Sequence, residues 1–263
     1  MCQLFGISVS DPIRLRFGWE EFARRGSEDG GNPDGWGVAY FDDREVLLLR
    51  EPRPAADSPL VRFLARDAVA SNFIISHLRR ATEGDLTLQN TQPFVRYMAK
   101  RAHAFAHNGH VPDIRLPSVN SCMLPVGDTD SERLFAVLLS RLEPLWKSAV
   151  TPALKDRLGV VEEVAAVARD SGAANFIYCD GVTMFVHGHR HTMPGQAVST
   201  DPGLYVLERQ GSGSEFEAPC KGIGCDDNIG RQCVAATIPL DDQGWVPLGA
   251  GEIACVEQGR RIL

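Results

Sequence analysis

Short apolar runs separated by turn residues recur along most of the chain, and their lengths are typical of β-strands. The runs are rich in Val, Ile, Phe and Tyr and are bounded by Gly, Asp, Asn or Pro, as strands usually are. Asp42-Asp43 lies between two runs and predicts a hairpin turn. The pattern predicts strands over residues 3–9, 36–41, 45–50, 72–77, 102–107, 174–179, 183–187, 232–238 and 253–257.

Other segments repeat their apolar residues three or four positions apart, which indicates helices with one buried face. Thr129 and Glu132 have the spacing of a capping box in front of the first long repeat. The two strongest patterns lie in the middle of the chain, and the two weaker ones lie nearer the N-terminus. The spacing predicts helices over residues 130–146, 152–169, 18–25 and 59–69.

Predicted strands therefore dominate both ends of the chain, with two long helices between them. This order differs from the strict βαβ alternation of a doubly wound parallel sheet. Sheets that pack on each other and are covered by helices fit the order better, so the pattern predicts an α+β fold. The 263 residues contain no Ser/Gly linker and no repeat of solenoid length, so we expect a single domain over residues 2–263.

Composition narrows the classes of partner. The formal net charge is −7, which gives no electrostatic reason to bind nucleic acid or an anionic membrane. No apolar run approaches the roughly 20 residues of a membrane span, and the N-terminus lacks the pattern of a signal peptide. The seven cysteines are irregularly spaced and do not suggest a disulfide framework. We therefore expect a cytoplasmic protein with a small-molecule ligand.

Cys2 is the first residue that suggests chemistry. Methionine is commonly removed before a small residue, so we expect Met1 to be absent and Cys2 to carry a free α-amine. The pKa of such an amine is about 7.7–8.0 and that of a thiol about 8.5, so the amine can take the thiol proton. This pairing indicates a nucleophile with its own base. The alternative is a cysteine that is only buried at the start of a strand.

Two segments at predicted strand ends offer groups that suit a polar substrate. Arg79 can hold a carboxylate with two parallel hydrogen bonds, and Thr82 can add a hydroxyl. The side-chain amide of Asn108 and the backbone N–H of Gly109 can together stabilise an oxyanion. The alternatives are a solvated strand end for Arg79 and an ordinary Asn-Gly turn for the second pair.

Two more polar segments are ambiguous when each is taken alone. The acidic stretch 128–132 suits the N-terminus of a helix for structural reasons, and one carboxylate could also bind a substrate ammonium. The stretch 32–37, Asn-Pro-Asp-Gly-Trp-Gly, indicates a turn that contains a tryptophan.

Taken together, and in their order along the chain, the five segments resemble the glutaminase domain of class II glutamine amidotransferases, an N-terminal-nucleophile family. The resemblance is strongest to its stand-alone YafJ-type subgroup. The resemblance runs from residue 2 to about residue 257. It implies the four-layer αββα sandwich of that family. The matching stretches are Cys2, 34–37, 77–82, 108–109 and 130–132, with further similarity at 90–94, 236–240 and 251–252.

The resemblance also implies roles for individual residues, and it implies a reaction without a cofactor. Cys2 would be the nucleophile and would hydrolyse the side-chain amide of glutamine, or a related γ-glutamyl amide, through a γ-glutamyl thioester. Arg79 and Thr82 would bind the α-carboxylate, and Asp130 the α-ammonium. Asn108 and Gly109 would form the oxyanion hole.

The chain departs from the family pattern at two places. Many members have an aromatic residue after the binding arginine, where this chain has Arg80. Many members also have His-Arg-Gly-Pro where this chain has residues 29–33, a segment that helps to place the N-terminus. Arg80 would suit a substrate other than free glutamine.

Alternatives remain open at the level of sequence. A metal site is conceivable at Cys220, Cys225 and Cys233, but their spacing is not that of paired zinc ligands, and we expect no metal. The alternating histidines 187, 189 and 191 are a second conceivable site. The protein could also be a non-catalytic glutamine-binding regulator, an amidase of the same fold acting on another acyl amide, or the ammonia-donating subunit of a separate synthase.

Overall fold

We describe the protein from a computed structural model. The structure describes residues 2–17, 22, 24–67, 69–116, 123–147, 150–192, 198–210, 223–225, 230–242 and 244–263. No helix in these ranges combines the length and the apolar character that crossing a bilayer requires.

Fourteen strands and three α-helices make up the described part of the chain. The strands are β1 Gln3–Phe17, β2 Trp36–Asp42, β3 Glu45–Glu51, β4 Ala70–Leu78, β5 Phe94–Met98, β6 Arg101–His110, β7 Ala173–Cys179, β8 Met184–His187, β9 Tyr205–Gln210, β10 Ile223–Cys225, β11 Arg231–Ala236, β12 Val246–Pro247, β13 Ile253–Glu257 and β14 Arg260–Arg261. The helices are α1 Pro59–Arg66, α2 Asp130–Leu142 and α3 Leu154–Ser171.

The strands form two antiparallel sheets. The first has eight strands in the order β12-β9-β11-β1-β4-β2-β3, with β10 also paired to β1. The second has six strands in the order β14-β13-β8-β7-β6-β5. Strands β1 and β4 are therefore central neighbours in the first sheet, and β6 and β7 are neighbours in the second.

Three separate apolar clusters show how the sheets and helices are layered. One cluster joins the outer face of the first sheet to α1, through residues such as Phe5, Ile7 and Leu64. A second fills the space between the sheets, where Leu4 of β1 meets alanines of β6 such as Ala104. A third joins the second sheet to α2 and α3. Alternate residues of a strand face opposite sides, so both faces of each sheet are covered. The predicted αββα sandwich is confirmed.

The nine strands predicted from the apolar pattern are all present, most of them with ends shifted by one or two residues. The main exceptions are β1, which extends to Phe17, and β6, which extends to His110. Helix α2 ends at Leu142, four residues before the predicted end, and α1 ends at Arg66, three before it. The hairpin turn at Asp43 is confirmed by its left-handed backbone, φ 49°. The predicted helix 18–25 falls largely outside the described residues.

Candidate active site

The N-terminus is placed by the pairing of β1 with β4. In this antiparallel pair Gln3 lies opposite Leu78, so Cys2 lies beside the residues that follow β4. The Cys2 Sγ atom accepts a hydrogen bond from the Arg80 N–H at 3.2 Å and donates one to the Arg80 carbonyl at 3.3 Å. Two segments almost 80 residues apart in sequence are thus joined at the sulfur.

Burial and the neighbouring groups shift the pKa of the Cys2 thiol in opposite directions. Burial raises the pKa of the Cys2 thiol, whereas the Arg80 N–H and the positive charge of Arg79 lower it. The side chain is half-buried, so it remains open to a ligand on one side. A protonated thiol next to these two groups needs a base before it can attack.

Arg79 is almost fully buried and lies beside Cys2. Its guanidinium donates to the backbone carbonyls of Glu83 at 2.9 Å, Gly84 at 3.1 Å and Asp85 at 3.1 Å. These bonds fold the loop after β4 around the arginine. Thr82 lies in the same loop and is exposed. Arg79 is therefore not a solvated strand end, and in this structure its guanidinium shapes the loop.

The segment 32–37 braces this loop from the other side. The Asp34 carboxylate accepts from the Ala81 N–H at 2.7 Å, and the Asp34 N–H donates to the Arg79 carbonyl at 3.1 Å. The Arg79 N–H donates in turn to the Gly35 carbonyl at 2.8 Å. The turn expected from the sequence thus holds the backbone on both sides of Arg80.

Arg25 supports the N-terminus in the region where the chain departs from the family pattern at 29–33. Its guanidinium donates to the side-chain carbonyl of Gln3 at 3.4 Å and to the backbone carbonyl of Ile238 at 3.2 Å. The amide of Asn32 donates to the Arg25 carbonyl at 2.9 Å and fixes the backbone there. The residue after Cys2 is thereby tied to the neighbouring strand end.

Asn108 and Gly109 lie within β6 and pair with Asn175 and Ala174 of β7. The alternative of an ordinary Asn-Gly turn is therefore wrong, because the strand continues to His110. The Asn108 side-chain amide lies 3.4 Å from the hydroxyl oxygen of Thr237. That same oxygen accepts from the Leu4 N–H at 2.9 Å, which connects Asn108 to the strand that carries Cys2.

Asp130 is the first residue of α2, and Thr129 caps the helix by accepting from the Glu132 N–H at 3.3 Å. The Asp130 carboxylate accepts from the Val111 N–H and the Ser131 N–H, both at 2.7 Å. It also lies 3.3 Å from Nδ1 of His110. Asp130 thus fastens the end of β6 to the start of α2. The Glu132 carboxylate binds the Gly127 N–H at 2.7 Å, so the reciprocal half of the predicted capping box is replaced by this contact.

One pocket collects most of the residues singled out from the sequence. Its empty volume is about 320 Å³, counting its open mouth. Five of the six expected site residues line it, and the sixth, Asn108, immediately precedes Gly109 in β6 but does not line the pocket. The predicted lining residues are Cys2, Arg79, Thr82, Gly109 and Asp130, and the further polar ones are Arg80, Glu83, Asn90, Gln92, His107, Thr129 and Ser131.

Three residues near the site were not assigned a role from the sequence alone, namely Gln92, His107 and Thr237. Gln92 and Thr237 fall in stretches that resemble the family, 90–94 and 236–240, and that similarity was the available signal. His107 directly precedes Asn108, and its ring lies 2.9 Å from the Ser131 hydroxyl. These residues reach the site through contacts between segments that are distant in sequence.

A cation could be considered at Glu83, His110 and Asp130, whose ligand atoms lie within 4.8 Å of one another. Arg133, however, lies 3.3 Å from the Glu83 carboxylate and already supplies a positive charge. The alternating histidines, His187, His189 and His191, are not part of this group. Cys220 and the side chain of Cys225 lie outside the described residues, and Cys233 is buried within β11.

We expect the free energy of unfolding to fall as the pH drops below about 6.5, the ordinary pKa of histidine. Burial lowers the pKa of His77 and of His187 to about 3, so the unfolded chain binds protons that the folded chain does not. The contribution of these histidines to the free energy of unfolding is fully present above the pKa of the unfolded chain. It is lost on acidification, by up to about 1.4 kcal/mol per pH unit for each histidine.

Urea unfolding between about pH 7.5 and pH 5.5 measures this dependence. His77→Leu removes one of the titrating rings and keeps a side chain of similar size, so the slope should become shallower. A slope identical to that of the unsubstituted protein would contradict the assignment of His77.

Comparison with known proteins points to one family. The family model described as class-II glutamine amidotransferases matches residues 1–263. A Haemophilus influenzae protein named "Putative glutamine amidotransferase" is 31% identical over 188 residues, which cover 71% of this chain and 63% of that protein. The Escherichia coli protein named "Putative glutamine amidotransferase YafJ" is 30% identical over 184 residues, covering 69% of this chain and 70% of that protein.

Solved structures agree with these sequence matches. A Pseudomonas aeruginosa crystal structure titled as a "predicted glutamine amidotransferase" superposes with a TM-score of 0.70 at 25% identity, covering 99% of both chains. Glutamine phosphoribosylpyrophosphate amidotransferase from Bacillus subtilis shares the fold, with a TM-score of 0.52 over 98% of this chain and 48% of that one. The chain spans less than two thirds of the Haemophilus relative. With a family model that matches its whole length and the site residues gathered in one pocket, the chain belongs to the class II glutamine amidotransferases.

Proposed function

We propose that the protein hydrolyses the side-chain amide of glutamine or of a related γ-glutamyl compound, with Cys2 as the nucleophile. The observation that carries this proposal is that one pocket holds Cys2 together with Arg79, Gly109 and Asp130. Membership of the family supports the reaction class, and the pocket supports a small, polar substrate. The catalytic unit in this proposal is a single domain over residues 2–263.

The proposed reaction has two stages that share one nucleophile. After removal of Met1, the α-amine of Cys2 accepts the thiol proton, and the sulfur attacks the amide carbon. The negative charge that forms on the carbonyl oxygen is stabilised by the Asn108 side chain and the Gly109 N–H. The C–N bond then breaks, the proton passes to the leaving nitrogen, and water hydrolyses the thioester to free glutamate and the thiol.

The polarity of the pocket suits the two charges of an amino-acid head group. Arg79 provides positive charge on the side of the loop after β4, where Thr82 offers a hydroxyl. Asp130 and Glu83 provide negative charge near the start of α2. An α-carboxylate directed to Arg79 and an α-ammonium directed to Asp130 would both find opposite charge. This arrangement favours an amino acid over an uncharged acyl amide.

A panel of γ-glutamyl amides tests the proposal directly. The purified protein is incubated with glutamine, γ-glutamyl amines and γ-glutamyl peptides, and the release of glutamate and of ammonia or amine is measured. Intact-mass analysis of the same sample reports whether Met1 has been removed. We expect turnover of at least one compound by protein that begins at Cys2. A correctly trimmed protein that binds glutamine without hydrolysing any member of the panel would instead indicate a regulatory binding protein.

We expect Asp130→Asn to raise the KM for the preferred substrate by about ten- to a hundredfold. The asparagine can still accept from one of the Val111 and Ser131 N–H groups, but it no longer offers a negative charge to the α-ammonium. A hydrogen bond to a charged group contributes about 1.5–3 kcal/mol, and about 1.4 kcal/mol corresponds to a factor of ten.

Asp156→Asn is the matched control for this change. Asp156 also lies in the first turn of a helix, α3, but it is exposed and does not line the pocket. Steady-state kinetics of both variants should show a raised KM only for Asp130→Asn. A KM for that variant within twofold of the unsubstituted value would exclude Asp130 as the ammonium ligand.

A further inference from the structure

Gln92 makes an unusual pair of contacts with the backbone of a single residue. Its side-chain carbonyl accepts from the His107 N–H at 2.6 Å, and its side-chain amide donates to the His107 carbonyl at 3.2 Å. The residue is 5% exposed and lines the pocket beside Gly109. Both polar ends of the side chain are therefore used at one point of β6.

This contact lies on the edge of β6 that faces β5, at a point where β5 no longer pairs with it. Strand β5 pairs with β6 from Arg101 to Phe105 and extends no further. His107 has its backbone groups on the same edge as Phe105, because alternate residues of an antiparallel strand point to the same side. The Gln92 side-chain amide, which has the same donor and acceptor as a peptide group, completes the ladder there.

The same alternation places the backbone of Gly109 on the open edge. Gly109 is two residues after His107, so its N–H leaves β6 on the side where Gln92 lies and where β5 has ended. On the opposite edge β6 is held by β7, which pairs with it as far as His110. The donor expected to meet the oxyanion therefore lies between two contacts that fix this edge, that of Gln92 with His107 and that of Asp130 with the Val111 N–H.

The anchor of Gln92 is itself rigid. The carbonyl of the preceding residue, Thr91, accepts from Arg50 at 2.6 Å, and the Thr91 hydroxyl donates to the Thr87 carbonyl at 2.8 Å. Asn90, in the same stretch, accepts from the Asp128 N–H at 2.9 Å. The stretch 90–92 thus links the acidic side of the pocket to β6.

We propose that Gln92 is a positioning residue that fixes the free edge of β6 and so aims the Gly109 N–H at the substrate carbonyl oxygen. The catalytic part of this proposal rests on the proposed function, whereas the contact itself does not. A donor that is displaced by about 1 Å loses much of its effect on the transition state, with costs of up to about a hundredfold in rate. Substrate binding at Arg79 and Asp130 should change little.

The experiment compares Gln92→Leu and Gln92→Glu with the control Gln232→Leu. Gln232 is also a buried glutamine, but it lies in β11, away from the pocket, and makes no side-chain hydrogen bond with the described residues. Gln92→Leu should lower kcat by about ten- to a hundredfold with KM within about threefold. Gln92→Glu keeps an acceptor for the His107 N–H but turns a second oxygen, in place of the donor, toward the His107 carbonyl, so its kcat should also fall. Gln232→Leu should keep its kcat.

Amide hydrogen exchange at His107 provides a readout that does not depend on turnover. The His107 N–H loses its acceptor in Gln92→Leu and should exchange at least about tenfold faster, with no such change in Gln232→Leu. Unchanged exchange together with a kcat within threefold would overturn the proposal. If Gln92→Leu does not fold, Gln92→Glu decides the question by the same kinetic criterion. An unsubstituted protein without turnover would contradict the proposed function, and the exchange result would still decide whether Gln92 holds β6.

Discussion

Cys2→Ala should lower kcat for γ-glutamyl amides by at least about a thousandfold, the scale at which loss of a catalytic nucleophile is usually felt. The sulfur is the only atom proposed to form a bond with the substrate, so its removal leaves the pocket without covalent chemistry. The half-buried site should tolerate alanine, because the two hydrogen bonds of the thiol to Arg80 are replaceable by water. Substrate affinity, measured by titration calorimetry, should therefore be largely retained.

Cys233→Ala is the control for a general effect of removing a cysteine. Cys233 is fully buried in β11, and burial raises the pKa of its thiol to about 12, so it stays protonated and inert. A glutamine analogue with an electrophilic ketone in place of the amide should label the unsubstituted protein and Cys233→Ala, but not Cys2→Ala. Turnover that survives in Cys2→Ala would remove the basis of the proposed mechanism.

The central strands were predictable because burial on both sides gives them a strong apolar signature. Strand β4 places Ile74 and Leu78 against the outer layer and Ile75 against the inner one, so apolar residues follow one another without a break at 73–75 in its centre. The shortest strands, β12 and β14, do not have this signature. Strands β12 and β14 contain two residues each, and they form because a neighbouring strand presents free backbone groups. Such pairing depends on the partner, which a local pattern does not contain.

The candidate site was predictable to the extent that its motifs lie at strand and helix ends. Five of the six residues expected from the family resemblance line one pocket, although the roles proposed for them remain predictions. The use of Arg79 to bind three loop carbonyls was not predictable, because an arginine beside a strand gives no indication of which acceptors will surround it. The pairing of Gln92 with His107 was equally hidden, since nothing in residues 90–94 specifies where β5 begins relative to β6.

Gly109→Ala should both destabilise the fold and impair catalysis. A Cβ atom at this position would lie 1.8 Å from the carbonyl oxygen of Ala173 and 2.8 Å from Nε2 of His107. The first of these atoms belongs to the backbone at the start of β7, where Ala173 pairs with His110, so β6 and β7 would have to move apart at this end. We expect a loss of about 1–3 kcal/mol in the free energy of unfolding, as for other overpacked sites.

The same displacement moves the Gly109 N–H away from the reacting carbonyl, so kcat/KM should fall by at least about a hundredfold even where the variant is folded. Gly159→Ala is the matched control, because a Cβ at Gly159 in α3 meets no atom within 4 Å. A glycine in the interior of a helix costs about 0.5–1 kcal/mol relative to alanine, so this control should be slightly more stable and fully active. Urea unfolding and steady-state kinetics on both variants separate the two effects. A folded Gly109→Ala protein with unchanged kcat/KM would show that β6 can shift without affecting the reaction, and the oxyanion donor would then have to be sought elsewhere in the pocket.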